Sequence, residues 1–155
     1  MGAWFRWLRE IWLGRRALGQ TTIRATSVMT GVAYDLFTIA GGRIMVTQII
    51  GEITVAVVGA LTISLLATPT TGTARALCTG LLTTGYAIGD LFGITGINTD
   101  AMLPPASSSA IEGQTMGVMV SEGVITLNND IVDVGSVQWT IKWIPIDSGA
   151  TVVAA

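Results

Sequence analysis

From Asp35 onward the chain is a series of short runs of Val, Ile, Thr and Leu, broken by glycine at intervals of roughly 8–12 residues, and this punctuation constrains the fold more than any other feature. Runs of that length, rich in β-branched residues, suit strands and are too short to display the 3.6-residue period of an amphipathic helix. They predict strands at 35–39 (DLFTI), 43–50 (RIMVTQII), 52–58 (EITVAVV), 61–67 (LTISLLA), 74–79 (ARALCT), 87–94 (AIGDLFGI), 114–120 (QTMGVMV), 123–127 (GVITL) and 136–144 (SVQWTIKWI). No long helix is expected in this region. Regular short strands with turn signals between them point to an all-β sandwich or barrel.

The last run is the clearest. In SVQWTIKWIPI, Val137, Trp139, Ile141 and Trp143 fall on one side of a strand, and Ser136, Gln138, Thr140 and Lys142 on the other. Trp139, Ile141 and Trp143 are therefore candidate core residues, with two indoles filling much of the space between sheets. The segment 98–113 (NTDAMLPPASSSAIEG) carries Pro104-Pro105 and a serine run and reads as one long exposed loop. Turns are expected at 128–130 (NND) and at Gly135.

The N-terminus is a different object. Residues 4–13 set Trp4, Trp7, Leu8, Ile11 and Trp12 at the spacing of one helical face, with Arg6, Arg9 and Glu10 elsewhere, which predicts a short amphipathic helix. Residues 20–33 (QTTIRATSVMTGVA) have no period and read as an extended arm. Charge divides at the same place. Residues 1–24 hold Arg6, Arg9, Arg15, Arg16 and Arg24 against Glu10, a net +4; the remainder holds three cations against nine carboxylates, a net −6. The expected division is an anchor and arm over 1–33 and a sandwich over 34–155.

The helix admits four readings: docking in a groove on a partner, packing on its own or a sister subunit, lying in a membrane interface, or touching nucleic acid through its arginines. Docking ranks first, because Trp and Arg are enriched at binding hot spots and the basic patch is thin for nucleic acid. Composition supports a partner. Only 12% of the 155 residues are charged and 50% are hydrophobic, whereas soluble domains are about 25% charged. A surface so poor in charge is expected to be covered by other subunits.

The uncharged stretch 53–74 is long enough to span a bilayer. Its Thr and Val content, Gly59 and Pro69 favour two buried strands joined at Gly59-Ala60 instead. Met1-Gly2 lacks the Ser or Thr a myristoylation signal needs at position 6, where Arg6 stands, and charges interrupt any secretory signal. Cys78, the one cysteine, sits in apolar ARALCTGLL and reads as a small buried hydrophobe.

Catalytic ingredients are sparse. Histidine is absent, which removes imidazole-based triads and the usual zinc sites. The carboxylates are scattered singly. Asp130 and Asp133 in NNDIVDVG lack the register of a calcium loop, so turn chemistry is the expected role. GTARALCTG and GGRIMV lack the Gly-Lys-Ser/Thr of a phosphate loop. No catalytic, cofactor-binding or metal residue is assigned, and no enzymatic activity or small-molecule substrate is expected.

At LFTIAGGRIMVTQIIGEITVAVV and GSVQWTIKWIPIDSGATVVAA the chain resembles the jelly-roll decoration, or cement, proteins of tailed bacteriophage capsids. The likeness runs over roughly 35–155 and rests on strand pattern, strand order and the W-x-x-x-W-x-P ending with its small-residue tail. It implies an antiparallel jelly-roll β-sandwich of eight strands, a homotrimer, a place on the capsid surface of the virion, and the major capsid protein as partner. Trp4, Trp7, Ile11 and Trp12 would then be the apolar contacts of an N-terminal anchor, with Arg6, Arg9, Arg15 and Arg16 pairing to acidic capsid surface. Neither nucleic acid nor membrane is an expected partner. The alternative is a receptor- or carbohydrate-binding module of a head fibre or tail; exposed aromatics in the 98–113 loop would favour it, and that loop has none.

Overall fold

The computed structural model describes residues 19–155, which form two sheets whose inner faces enclose one core. The strands are β1 (Gln20–Thr30), β2 (Tyr34–Ala40), β3 (Ile44–Val55), β4 (Leu61–Pro69), β5 (Arg75–Ala76), β6 (Leu81–Thr83), β7 (Leu91–Gly93), β8 (Val118–Val120), β9 (Gly123–Asn129), β10 (Val132–Pro145) and β11 (Thr151–Ala154). One sheet has the order β1-β10-β3-β7, with β8 also paired to β3; the other has β11-β2-β9-β4-β5, with β6 also paired to β4. Every strand pairing is antiparallel. The chain is thus all-β among the described residues, with the two-sheet form of a sandwich.

Pattern explains the layering. Along β10 the inward positions Val137, Trp139, Ile141 and Trp143 are at most 3% exposed, while Lys142 on the outer face is open to solvent. Ile63, Leu65 and Ile125, Leu127 supply the opposing face from β4 and β9. The Trp139 ring stacks on Phe92 at 6.4 Å between centroids, and Phe92 meets Tyr86 at 5.0 Å. Each such side chain contributes about 1.5–3 kcal/mol by leaving water.

Residues 20–30 are not an arm outside the sheets. They form the edge strand β1, paired to β10 from Gln20 opposite Trp143 to Thr30 opposite Val132. Register shifts between Arg24 and Ser27 and between Val28 and Thr30 break the period of two, which is why the alternation is not visible in the sequence. The boundary at 33/34 falls beside the β1–β2 turn, inside the sandwich. Gly31 makes that turn, at φ 73°.

The runs 43–50 and 52–58 merge into the single strand β3, because Gly51 is a packing position rather than a break. A Cβ there would come within 2.9 Å of the Trp139 ring and of Val137 Cγ1. Gly59 does separate β3 from β4. Runs 74–79, 87–94 and 114–120 contract to the short strands β5, β7 and β8, and β6 and β11 are additional. Gly135 lies within β10 and makes no turn. The 98–113 loop is strand-free but only partly exposed: Met102 and Pro104 are buried, and the Tyr86 hydroxyl donates to the Pro104 carbonyl at 2.8 Å. Among the described residues no helix is long and apolar enough to cross a membrane.

Candidate interaction surfaces

The anchor residues Trp4, Arg6, Trp7, Arg9, Ile11, Trp12, Arg15 and Arg16 lie outside the described residues. Gln20, the first residue of β1, pairs with Trp143 on the outer edge of the five-stranded sheet, so residues 1–18 precede that edge in the chain. Trp139, Ile141 and Trp143 come together in the core, and the indole N–H of Trp143 donates to Thr22 Oγ1 at 3.2 Å. Thr22 in turn donates to the Val152 carbonyl at 3.2 Å, which ties β1 of one sheet to β11 of the other. These contacts are architectural.

Several of the carboxylates accept from backbone amides. Asp133 is 7% exposed and accepts from the amides of Gly59 at 2.6 Å, Gly135 at 2.6 Å and Val58 at 3.4 Å. Burial works to raise its pKa, but those amides prevail and hold it below the ordinary carboxylate value. Asp130 accepts from the Thr62 amide at 2.7 Å, which also holds its carboxyl low. The two therefore pin the β3–β4 connection to the β9–β10 turn, with their oxygens turned to amides rather than to a shared cation. Asp90 takes the Ala87 amide at 2.7 Å and the Ser107 hydroxyl, closing a local loop. Asp147 accepts from Arg43 Nε, Arg43 Nη2 and the Arg43 amide at 2.7–2.8 Å; the guanidinium, with the amide, sets its carboxyl far below the usual range. Among the described residues no group of three or more His, Cys, Asp or Glu side chains is placed to hold a metal ion.

A shallow cleft of about 170 Å³ opens where the sheets part beside β5 and β8. Ala67, Pro69, Leu77, Val118 and Val120 form its walls, and among the described residues Arg75 is the one ionisable side chain that lines it. The Arg75 guanidinium donates to Asn98 Oδ1 at 3.3 Å.

The surface offers a different feature. Seven aliphatic side chains, Val28, Val32, Val55, Val58, Ile131, Val132 and Val134, are 44–73% exposed at one end of the sandwich. The sequence hides this patch. Asp133, rather than Val132 or Val134, takes the inward position, because its three amide donors are there. A short hydrophobic alternation next to an Asn-Asn-Asp turn was the available signal. The outer face of the same sheet continues with little charge: Ile23 of β1 is opposite Thr140 of β10, which is opposite Ile50 of β3. Glu52 and Lys142 are the charged side chains of β3 and β10 on that face.

No protein-family model matches the chain, and neither a curated protein nor a solved structure matches it.

Proposed function

We propose that this chain is a non-enzymatic virion structural protein: a jelly-roll capsid decoration protein that binds a phage head shell and stabilises it by bridging major capsid protein subunits. The observation that carries the reading is the pairing order. Strands β1, β2, β3 and β4 pair in turn with β10, β9, β7 or β8, and β5 or β6, as the arms of one long hairpin do. The further pairings β10 with β3 and β9 with β4 roll that hairpin into two sheets. A rolled double Greek key is the jelly-roll plan, frequent in capsid and lectin domains.

Fold alone does not choose between shell binding and sugar binding. Surface chemistry favours the shell. The outer face of the five-stranded sheet is broad, apolar or hydroxylic and nearly uncharged, suited to a protein partner. The basic, tryptophan-rich residues 1–18 precede it in sequence and supply hot-spot chemistry for an anchor, with Trp4, Trp7, Ile11 and Trp12 as contacts and Arg6, Arg9, Arg15 and Arg16 opposite acid. A homotrimer would engage several anchors at once, so each could be weak.

The test is co-sedimentation of the purified full chain with empty shells of the major capsid protein from the virus that encodes it. Saturable binding at a fixed number of copies per shell is the expected result. Binding to glycans and none to shells would replace the reading with the fibre-module alternative.

A further inference from the structure

We propose that the valine-rich end of the sandwich is the surface through which copies of this chain associate. This names a surface for the self-association in the proposed function, and shell binding is not needed for it. The patch gathers where β1, β10 and β3 end together. On β10, Val132 and Val134 point away from the core, on either side of the buried Asp133. Ser136, two residues on and itself buried, is opposite Val28 of β1 on one side and Val55 of β3 on the other. Val134 lies two residues from Ser136, in the register shift between the Val28–Ser136 and Thr30–Val132 pairs. Val58 joins through its amide, held 3.4 Å from Asp133 Oδ1. Ile131 and Val132 are in contact range of Gly31, which places Val32 beside them.

This patch is held rigidly. The Asp133 carboxylate binds the amides of Val58, Gly59 and Gly135, so the β3–β4 connection and the start of β10 are fixed relative to each other. Ile53 and Val57 add backbone bonds to the 86–90 segment: Val57 N–H donates to the Tyr86 carbonyl at 3.0 Å, and Gly89 N–H to the Ile53 carbonyl at 2.9 Å. A rigid aliphatic surface loses little conformational entropy when it is covered.

Area and charge select the occupant. The seven side chains, at roughly 100 Å² exposed apiece, offer on the order of 700 Å², close to the roughly 800 Å² per partner of a standard interface. Isolated exposed valines are ordinary, but a contiguous patch of this size on a soluble domain marks an interaction site. None of the seven is charged, aromatic or amphipathic. Lipid-inserting surfaces carry Trp with Lys or Arg, and nucleic-acid surfaces carry Lys and Arg; the patch has neither chemistry. A second copy of the same surface is complementary without charge matching, and interfaces between identical subunits are the most apolar class.

The experiment is sedimentation velocity on the full chain over a concentration series, beside Val132→Lys/Val134→Lys and the single variant Val58→Lys. Because these side chains face solvent, the variants keep the wild-type circular dichroism. The wild type is expected at two or more protomers in the micromolar range, and both variants as monomers whose self-association is weakened at least 100-fold. Should the double variant misfold, Val58→Lys decides alone. A monomeric wild type, or an oligomer that both variants retain, overturns the proposal. A monomeric wild type would also remove the homotrimer from the proposed function, but shell binding itself is read separately by co-sedimentation.

Discussion

Gly51 of β3 faces Trp139 of β10 across the ladder, so close that a methyl group on the glycine would lie 2.9 Å from two ring carbons. The largest side chain of the core occupies the room left by the smallest residue of its neighbour. Gly51→Ala is therefore expected to destabilise the sandwich by about 1–3 kcal/mol through overpacking, read as a lower midpoint in urea with an unchanged slope. Equal midpoints would mean that the ring shifts freely.

Asp133 ties three amides, and its replacement leaves the buried Gly135 amide and the half-buried Gly59 amide without that acceptor, while exposed Val58 can turn to water. Asp133→Ala is expected to cost roughly 1–3 kcal/mol for each donor that water cannot reach, and to loosen the end that carries Val58, Val132 and Val134. Amide exchange at Gly59 and Gly135 should accelerate in the variant. Protection equal to the wild type at those amides would contradict the assigned role.

Acid should weaken the fold in a defined window. Asp130, Asp133 and Asp147 all titrate below their ordinary value in the folded chain. A carboxylate with a depressed folded pKa contributes stability that is complete above the unfolded value near 4 and is lost as pH falls through the folded value. Unfolding free energy should accordingly be flat from pH 7 to about 5 and fall below about pH 4. Asp133→Asn should reduce the slope of that fall, and an unaltered slope would count against it.

Cys78 is 2% exposed; burial pushes its thiol pKa up, and the Leu65 amide donates to its Sγ at 3.4 Å. A buried, protonated thiol is a poor nucleophile. A disulfide reagent should label the native chain far more slowly than the urea-unfolded chain, by at least 100-fold. Comparable rates would show that the β4–β5 region opens readily.

The legible parts of the fold are those where burial follows alternation. SVQWTIKWI declares its inward face because Trp139, Ile141 and Trp143 alternate with polar residues that nothing pulls inside. DLFTI, LTISLLA and GVITL lie within β2, β4 and β9 for the same reason. Legibility failed where one residue type serves two purposes. Glycine at 51 accommodates an indole and glycine at 59 breaks a strand, and only the facing residue distinguishes them. The edge strand β1 conceals its alternation behind two register shifts, so it reads as an arm although its backbone is paired nearly throughout. Of the two surfaces proposed for interaction, the basic tryptophan-rich segment is visible in spacing and charge alone. The valine patch is not, because it depends on Asp133, rather than Val132 or Val134, taking the inward position.

The shell-binding account is tested most directly by a quantitative co-sedimentation isotherm of the full chain and of Trp4→Ala/Trp7→Ala/Trp12→Ala on empty capsid shells, with circular dichroism of both proteins alongside. The account predicts saturable binding by the wild type and at least a 100-fold loss of affinity in the variant, whose β-sheet spectrum is unchanged. No binding by the wild type, or equal binding by a folded variant, would contradict it.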